Sequence, residues 1–327
     1  MMKRMLLQRL STLSRTRLRV KTGLNGIHGY TLSSLIQNRE EISKFREDLR
    51  LCGTEQDGVS LQLAADCESD SALCSLGTTT AVVTLNNPAA RNALTGKMMA
   101  ELADAVEELA NNSAWQTSLS AVILRGSDNF FCAGADIRVA AEHLSTKEGG
   151  RAMSTLMIDT LTKFRHLPFI TVASIRGGAV GGGAELATAA DYRLMDDTGS
   201  LRFVHARMGV SPGWGGATRL VRLVGRPQAL ALLGTAKKYE AKQCLEIGLV
   251  DQLVSTKDDD MDIRLVKFLD EFVHADATVL HAAKRVVAGS EDAASFADAV
   301  TNEQNVFLEM WGGPANLAAL SAAKKKK

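Results

Sequence analysis

The chain lacks the marks of several protein classes. Its 327 residues contain no CxxC pair and no cluster of Cys with His, so the spacing describes neither a zinc site nor a thiol redox motif. The five cysteines, Cys52, Cys67, Cys74, Cys132 and Cys244, are odd in number, and a chain this long needs no disulfide staples. They read as reduced thiols in a reducing compartment. No apolar run approaches the roughly 20 residues of a membrane-spanning helix. Net charge is nearly absent too: 38 Lys and Arg against 37 Asp and Glu leave +1. No overall field therefore draws the chain to nucleic acid or to an anionic membrane, and any basic site is local.

What is present suits one catalytic domain. The chain is 46% hydrophobic and 23% charged, ordinary for a core of about 250 residues plus extensions. Residues 1–25 form a basic tail: up to residue 39 there are eight Lys or Arg and no acid before Glu40, with Met5, Leu6, Leu10, Leu13 and Leu18 at near-helical spacing. That is the composition of a mitochondrial presequence, and equally of a basic tail without an address. Residues 26–78 are a polar extension leading into the domain, in which Val59–Leu63 reads as an edge strand paired with the next.

Strand, helix and strand then repeat. Ala81–Leu85 is a β-rich run closed by the turn cluster Asn86-Asn87-Pro88. Leu94, Met98, Leu102, Ala105, Val106 and Leu109 fall at steps of three and four, which predicts an amphipathic helix. Leu119–Leu124 is a second strand. A helix over 150–166 is broken by Pro168, and Phe169–Ile175 is a third strand. Beyond about residue 215 the pattern is helical almost to the end, with helices at 215–224, 226–234, 240–247, 262–274, 276–288 and 292–310. The core thus spans 79–260, with a C-terminal helical region at 261–327 ending in a solvated lysine tail.

Three segments concentrate small residues where a buried strand ends: Phe130-Phe-Cys-Ala-Gly-Ala-Asp-Ile137, Gly177-Gly-Ala-Val-Gly-Gly-Gly-Ala-Glu185 and Ser211-Pro-Gly-Trp-Gly-Gly216. The second precedes a run of good helix formers, so its glycines should present free N–H groups at a helix N-terminus, where negative charge is welcome. Turns, or a nucleotide loop, are the competing readings of a glycine run. This one has neither Gly-Lys-Ser/Thr nor a dinucleotide fingerprint with a later acid.

Asn87-Pro-Ala-Ala-Arg-Asn-Ala-Leu94, Cys132-Ala-Gly-Ala-Asp-Ile137, Gly181-Gly-Gly-Ala-Glu185 and Pro212-Gly-Trp-Gly-Gly216 together resemble, in order and spacing, the crotonase (enoyl-CoA hydratase/isomerase) superfamily over roughly residues 78–310. The resemblance implies an α/β fold, a spiral of ββα units with a C-terminal helical region that builds trimers, often paired into hexamers. It implies an acyl-CoA substrate and no separate cofactor, since CoA enters with the substrate. It places the two oxyanion-hole donors on the backbone of Ala135 and Gly182, and Arg91 and Arg138 against CoA phosphates. Ala133, Asp136 and Ile137 would lie along the substrate. For the two arginines a solvated surface role is the competing reading. Cys132 is taken as packing.

An oxyanion hole serves any reaction through a thioester enolate, each donor being worth about 3–4 kcal/mol; the side chains around the α-carbon choose the reaction. Hydratases of the family carry one glutamate at the position of Glu185 and a second later in the chain. Counting back from Pro212, that second position falls on His205. A carboxylate with an imidazole is a different acid/base pair from two carboxylates. A substrate bearing its own α-carboxylate would be repelled by two glutamates but can be met by a histidine. Further runs, Arg202-Phe-Val-His205, Met208-Gly209, Thr218-Arg-Leu220 and Trp311-Gly-Gly-Pro-Ala-Asn-Leu317, with Thr22-Gly-Leu24 and His28-Gly-Tyr30 in the tail, resemble a decarboxylating branch of the superfamily. That branch implies malonyl-type thioesters with an ethyl, and less well a methyl, branch, a metabolite-repair role, and a cytosolic location where the tail alone reads mitochondrial. Glu185 would then donate a proton to the α-carbon, and Trp214 would touch the acyl branch. Competing readings are a helix-end acid for Glu185, a structural histidine for His205 and a core residue for Trp214. An enoyl-CoA isomerase and a non-catalytic acyl-CoA-binding oligomer are the alternative functions.

Overall fold

Apolar runs too short for helices alternate with stretches of three- and four-residue periodicity, and each becomes its own element. The computed structural model describes residues 39–69, 71–257, 260–272 and 276–325; the basic tail, with its Thr22-Gly-Leu24 and His28-Gly-Tyr30, lies outside them. The chain runs through α1 (Arg39–Leu49), β1 (Gly58–Leu63), β2 (Thr80–Asn86), α2 (Gly96–Asn111), the single turn α3 (Trp115–Ser118) and β3 (Ala121–Gly126). It continues through α4 (Ile137–His143), α5 (Lys147–Arg165), β4 (Ile170–Ile175), β5 (Gly178–Val180), α6 (Gly182–Ala187), β6 (Tyr192–Asp196) and β7 (Ser200–Arg202). It closes with α7 (Gly216–Thr235), β8 (Tyr239–Glu240), α8 (Ala241–Glu246), β9 (Gln252–Val254), α9 (Met261–Asp270), α10 (Ala277–Asp292), α11 (Phe296–Met310) and α12 (Pro314–Lys325).

Six strands form the main sheet in the order β1-β2-β3-β4-β6-β9, with β1 antiparallel to β2 and the rest parallel. Successive residues of a strand face opposite sides, and both sides are covered here. Ala81, Val83, Leu85, Val122, Leu124, Ala173 and Ile175 belong to the core shared with α2 and α5. Val82, Ala121, Ile123, Ile170, Val172 and Leu194 form the other, with Leu73 and Leu76 and with Met261, Leu265 and Leu269 of α9. Burial on both faces is why the strands read as unbroken apolar runs.

The edge strand expected at Val59–Leu63 is β1, in register with β2 through Leu61↔Val83. α1 packs Phe45 and Leu49 into the core, and Arg46 bridges Asp104 and Glu107 of α2. The fold therefore reaches back into the polar extension at least to Arg39. At the other end α9 is part of the sheet's cover. The expected helices at 215–224 and 226–234 are the halves of α7, which breaks at Gly225. The segment read as helical almost to the end also contains β8, which overlaps the start of the helix expected at 240–247, and β9, between the expected helices. A three-stranded sheet, β5-β7-β8, stands apart from the main one and carries the chain between the small-residue segments. Among the described residues no helix is long and apolar enough to cross a membrane.

Candidate active site

The site begins where β5 turns into α6. Gly181 caps that helix at φ 55°, ψ −121°, a conformation that only glycine adopts without strain. The turn lets α6 start at Gly182 with its first N–H groups unpaired, as at any helix start. Among the described residues the Gly182 N–H has no acceptor. Beside it runs the segment 132–136. The N–H of Leu94 donates to Gly134 O (2.7 Å) and that of Asp136 to Leu94 O (2.9 Å), a parallel bridge centred on Ala135. In such a bridge the flanking residues make the bonds, so the Ala135 N–H points away from Leu94, and it too has no acceptor.

Gly134, at φ +94°, joins the two donors. A Cβ on it would stand 2.8 Å from Val180 O and 3.0 Å from the Gly182 nitrogen, so its Cα lies directly on the first turn of α6. Ala135 and Gly182 are half-buried, open to a ligand from one side. The two unengaged backbone N–H groups, one of them at a helix N-terminus, are of the kind that an oxyanion requires.

Glu185 lies one turn beyond Gly182, on the same side of α6. It is 1% exposed, and each carboxylate oxygen is held. Oε1 accepts from the N–H groups of Trp214 (2.9 Å) and Gly216 (3.0 Å), and Oε2 lies 2.9 Å from His205 Nε2. Glu185 thus does not cap its own helix, which leaves the Gly182 donor free. His205 is buried, and among the described residues its Nδ1 has no hydrogen-bond partner. The Trp214 ring lies against Gly182, where any Cβ would collide with it. Trp214 is thus both a core residue and the wall behind the Gly182 turn. Gly216 is closed in the same way by the Glu185 side chain.

The sequence profile of the enoyl-CoA hydratase/isomerase family matches residues 76–311. The ethylmalonyl-CoA decarboxylase of Mus musculus is 42% identical over 247 residues, 75% of this chain and 74% of that one. That of Homo sapiens is 41% identical over 75% of this chain and 78% of its own. The chain belongs to the enoyl-CoA hydratase/isomerase family. The crystal structure of an enoyl-CoA hydratase from Bacillus anthracis superposes with a TM-score of 0.71 at 23% identity, over 83% of this chain and 97% of that one, which shows the crotonase-like fold.

Within this family frame the remaining predicted residues fall around the two donors. The Ala133 N–H donates to Arg91 O at 3.0 Å, which straps the oxyanion segment to the loop after β2. The Arg91 side chain is exposed over the Phe130 ring, 5.7 Å from its centroid. Asp136 caps α4, accepting from the N–H groups of Arg138 and Val139. Arg138, whose side chain is 81% exposed, meets the Asp136 carboxylate at 3.0 Å. That hydrogen bond, against the opposing effect of burial, holds the Asp136 carboxyl below the usual range. Asp136 therefore shapes the segment, and Arg138 keeps its outer N–H groups in solvent. Ile137, 67% exposed, stands at the rim. Burial pushes the Cys132 thiol up to about 12, so it is no nucleophile at neutral pH.

Three residues of the site escaped the sequence reading. Asn92, buried and at φ 56°, accepts from Asn87 N and Ser127 Oγ and donates to Ser127 O and Phe130 O, fixing the loop that carries Arg91. Ser154 Oγ donates to Gly213 O at 2.5 Å and anchors the Trp214 loop to α5. The third is Arg219, buried behind Glu185. Asn92 lay in a quoted motif and Arg219 in another, but nothing in their spacing marks a buried polar hub. No group of three or more His, Cys, Asp or Glu among the described residues is placed to hold a metal ion.

Proposed function

We propose that this protein decarboxylates ethylmalonyl-CoA, and less efficiently methylmalonyl-CoA, through a thioester enolate. The observation that carries this reading is the Glu185–His205 pair, 2.9 Å between Oε2 and Nε2, standing where a water-adding enzyme of the family would hold two carboxylates. With one proton the pair is neutral, so it tolerates a substrate that carries its own carboxylate. The free Nδ1 position of His205 offers that carboxylate a hydrogen bond. Relatives at 42% and 41% identity that bear the name ethylmalonyl-CoA decarboxylase support the same reading.

The chemistry follows from the donors. The thioester oxygen accepts from the N–H groups of Ala135 and Gly182. The bond from the α-carbon to the carboxylate breaks, its electron pair becomes the enolate, and CO2 leaves; no base is needed. The charge that grows on the thioester oxygen meets the two donors, worth about 3–4 kcal/mol each. The α-carbon then takes a proton from the Glu185 carboxyl, which His205 and solvent reload, giving butyryl-CoA. One proton is consumed for each CO2 released. The Trp214 ring, beside Gly182, walls the space for the ethyl branch. Arg91 and the outer face of Arg138 take the CoA phosphates, with Ala133, Asp136 and Ile137 along the thioester arm.

Ethylmalonyl-CoA labelled in the free carboxylate tests this. Release of labelled CO2 with butyryl-CoA as product is expected, and Glu185→Gln should lower kcat by about 10²-fold or more. Turnover of enoyl-CoAs without CO2 release would overturn the reading in favour of an isomerase, and binding without turnover in favour of an acyl-CoA carrier. A repair role in the cytosol, and assembly into trimers or hexamers, complete the proposal.

A further inference from the structure

Arg219 has no place in the chemistry above, yet its surroundings are those of a working part. It is on α7, where Thr218 and Arg222 on either side face solvent, but it is itself buried. Its guanidinium donates from Nε to Thr188 Oγ1 and from Nη2 to the carbonyl oxygens of Glu185 and Trp214, each at 3.0 Å. Thr188 Oγ1 in turn donates to Glu185 O at 2.6 Å. A closed ring results: Trp214 N–H holds the Glu185 carboxylate, and Arg219 holds the carbonyls of both residues.

Among the described residues no carboxylate pairs directly with this cation. Burial, the largest influence, pulls it down to about 10, while the charge of Glu185 works the other way, so it stays protonated at neutral pH. An unpaired buried cation is costly, and a neutral side chain would fill the space with less penalty. Behind it opens a cavity of about 380 Å³. The other ionisable groups there are spoken for. Arg165 of α5 repels Arg219 but is paired with Glu291 and Asp292. Lys284 of α10 is paired with Asp191. On the His205 turn, Arg207 is exposed.

We propose that Arg219 is the positioning residue of the reaction assigned above: its fork aims the Glu185 carboxylate, and its charge sets how readily the Glu185–His205 pair gives up its proton. The inference rests on the decarboxylase reading. The pair with its proton is neutral and without it carries −1, so a neighbouring cation favours the deprotonated state and eases donation to the enolate. Removing the cation makes the pair hold its proton to higher pH.

The test uses the full-length protein with Arg219→Gln and Arg219→Lys, following kcat for ethylmalonyl-CoA across the pH range. Arg219→Gln keeps donors but loses charge; it is expected to move the basic limb of kcat up by about one pH unit and to lower kcat about tenfold. Arg219→Lys keeps charge but loses the fork; its limb should stay in place while kcat falls. A purely structural role predicts the same loss at every pH in both variants, and that result, or a limb moved equally in both, overturns the proposal. If Arg219→Gln does not fold, an unmoved limb with wild-type kcat in Arg219→Lys overturns it alone. Should the wild type release no CO2, the parent reading fails instead. NMR titration of the His205 ring, assigned by His205→Asn, then decides without turnover: an upward move of about one unit in Arg219→Gln upholds the coupling, and no move refutes it.

Discussion

At the scale of single residues the site is built from what small side chains leave open. Gly134 lies between Val180 O and the Gly182 nitrogen at φ +94°, so it answers two demands at once. Gly134→Ala meets both a forbidden backbone region, costing on the order of 1–3 kcal/mol, and a collision with the turn that carries a proposed oxyanion donor. We expect kcat to fall by about 10²-fold or more, with a smaller effect on substrate affinity, because the donors act most on the charge that develops during reaction. Kinetics and denaturant unfolding of the variant measure the two losses separately. Glu185 was named from the resemblance of its motif to the family and His205 from a count back from Pro212, and the structure brings their side chains to 2.9 Å. Arg219 was not legible in this way, because an arginine on a helix reads as a surface charge, and only the packing of α7 on α6 turns it inward. Asn92 was hidden for a similar reason: an asparagine after a proline turn reads as loop.

Among the elements, the longer strands and amphipathic helices were readable from period alone. The strands β5, β7 and β8 were not, since two or three residues are too few for any period to show and Gly178 begins one of them. They exist because the segments around the site pair with each other, which is a tertiary cause. Among the contacts that hold α10 to the body of the fold, one carboxylate at its C-terminal end gathers the most partners. Asp292 meets Arg165 at 2.9 Å, His166 at 2.7 Å and Arg222 at 2.7 Å, so three side chains from α5, its cap and α7 converge on it. Partial burial alone would raise this carboxyl, but those three partners draw it down to about 2. A carboxyl lowered on folding adds stability above its unfolded value near 4 and loses it as pH falls from about 4 to about 2. Because Asp292 is about a third exposed, solvent screening reduces the effect to roughly 1 kcal/mol. Asp292→Asn should therefore lower stability by about that much at pH 7 and by much less near pH 2, which thermal unfolding at the two pH values would register.

Across the whole molecule, the site draws on the loop after β2, on the segment 132–136, and on α6, the His205 turn and the start of α7, a span from Arg91 to Arg219 in which no single stretch is sufficient. The C-terminal helices carry an unspent surface: Phe296, Phe307 and Trp311 are all exposed, the last two stacked at 5.3 Å between ring centroids. For the proposed trimers or hexamers of the 35.1 kDa chain, sedimentation equilibrium should return a mass that is a multiple of three chains; a monomer would exclude that assembly. The helices were readable from the sequence, but what covers them was not, since periodicity reports an apolar face and not its partner. One more property belongs to the fold as a unit. The Glu185 carboxylate is gripped at both oxygens by groups from two other parts of the chain, so it cannot swing around a planar intermediate. In the proposed reaction the enolate is flat, with two open faces at its α-carbon, and the protein stands against them unequally. Its proton reaches that carbon from one side alone, so in heavy water a single deuteron would enter only one of the two α positions of butyryl-CoA, placed there by a carboxylate that is unable to turn.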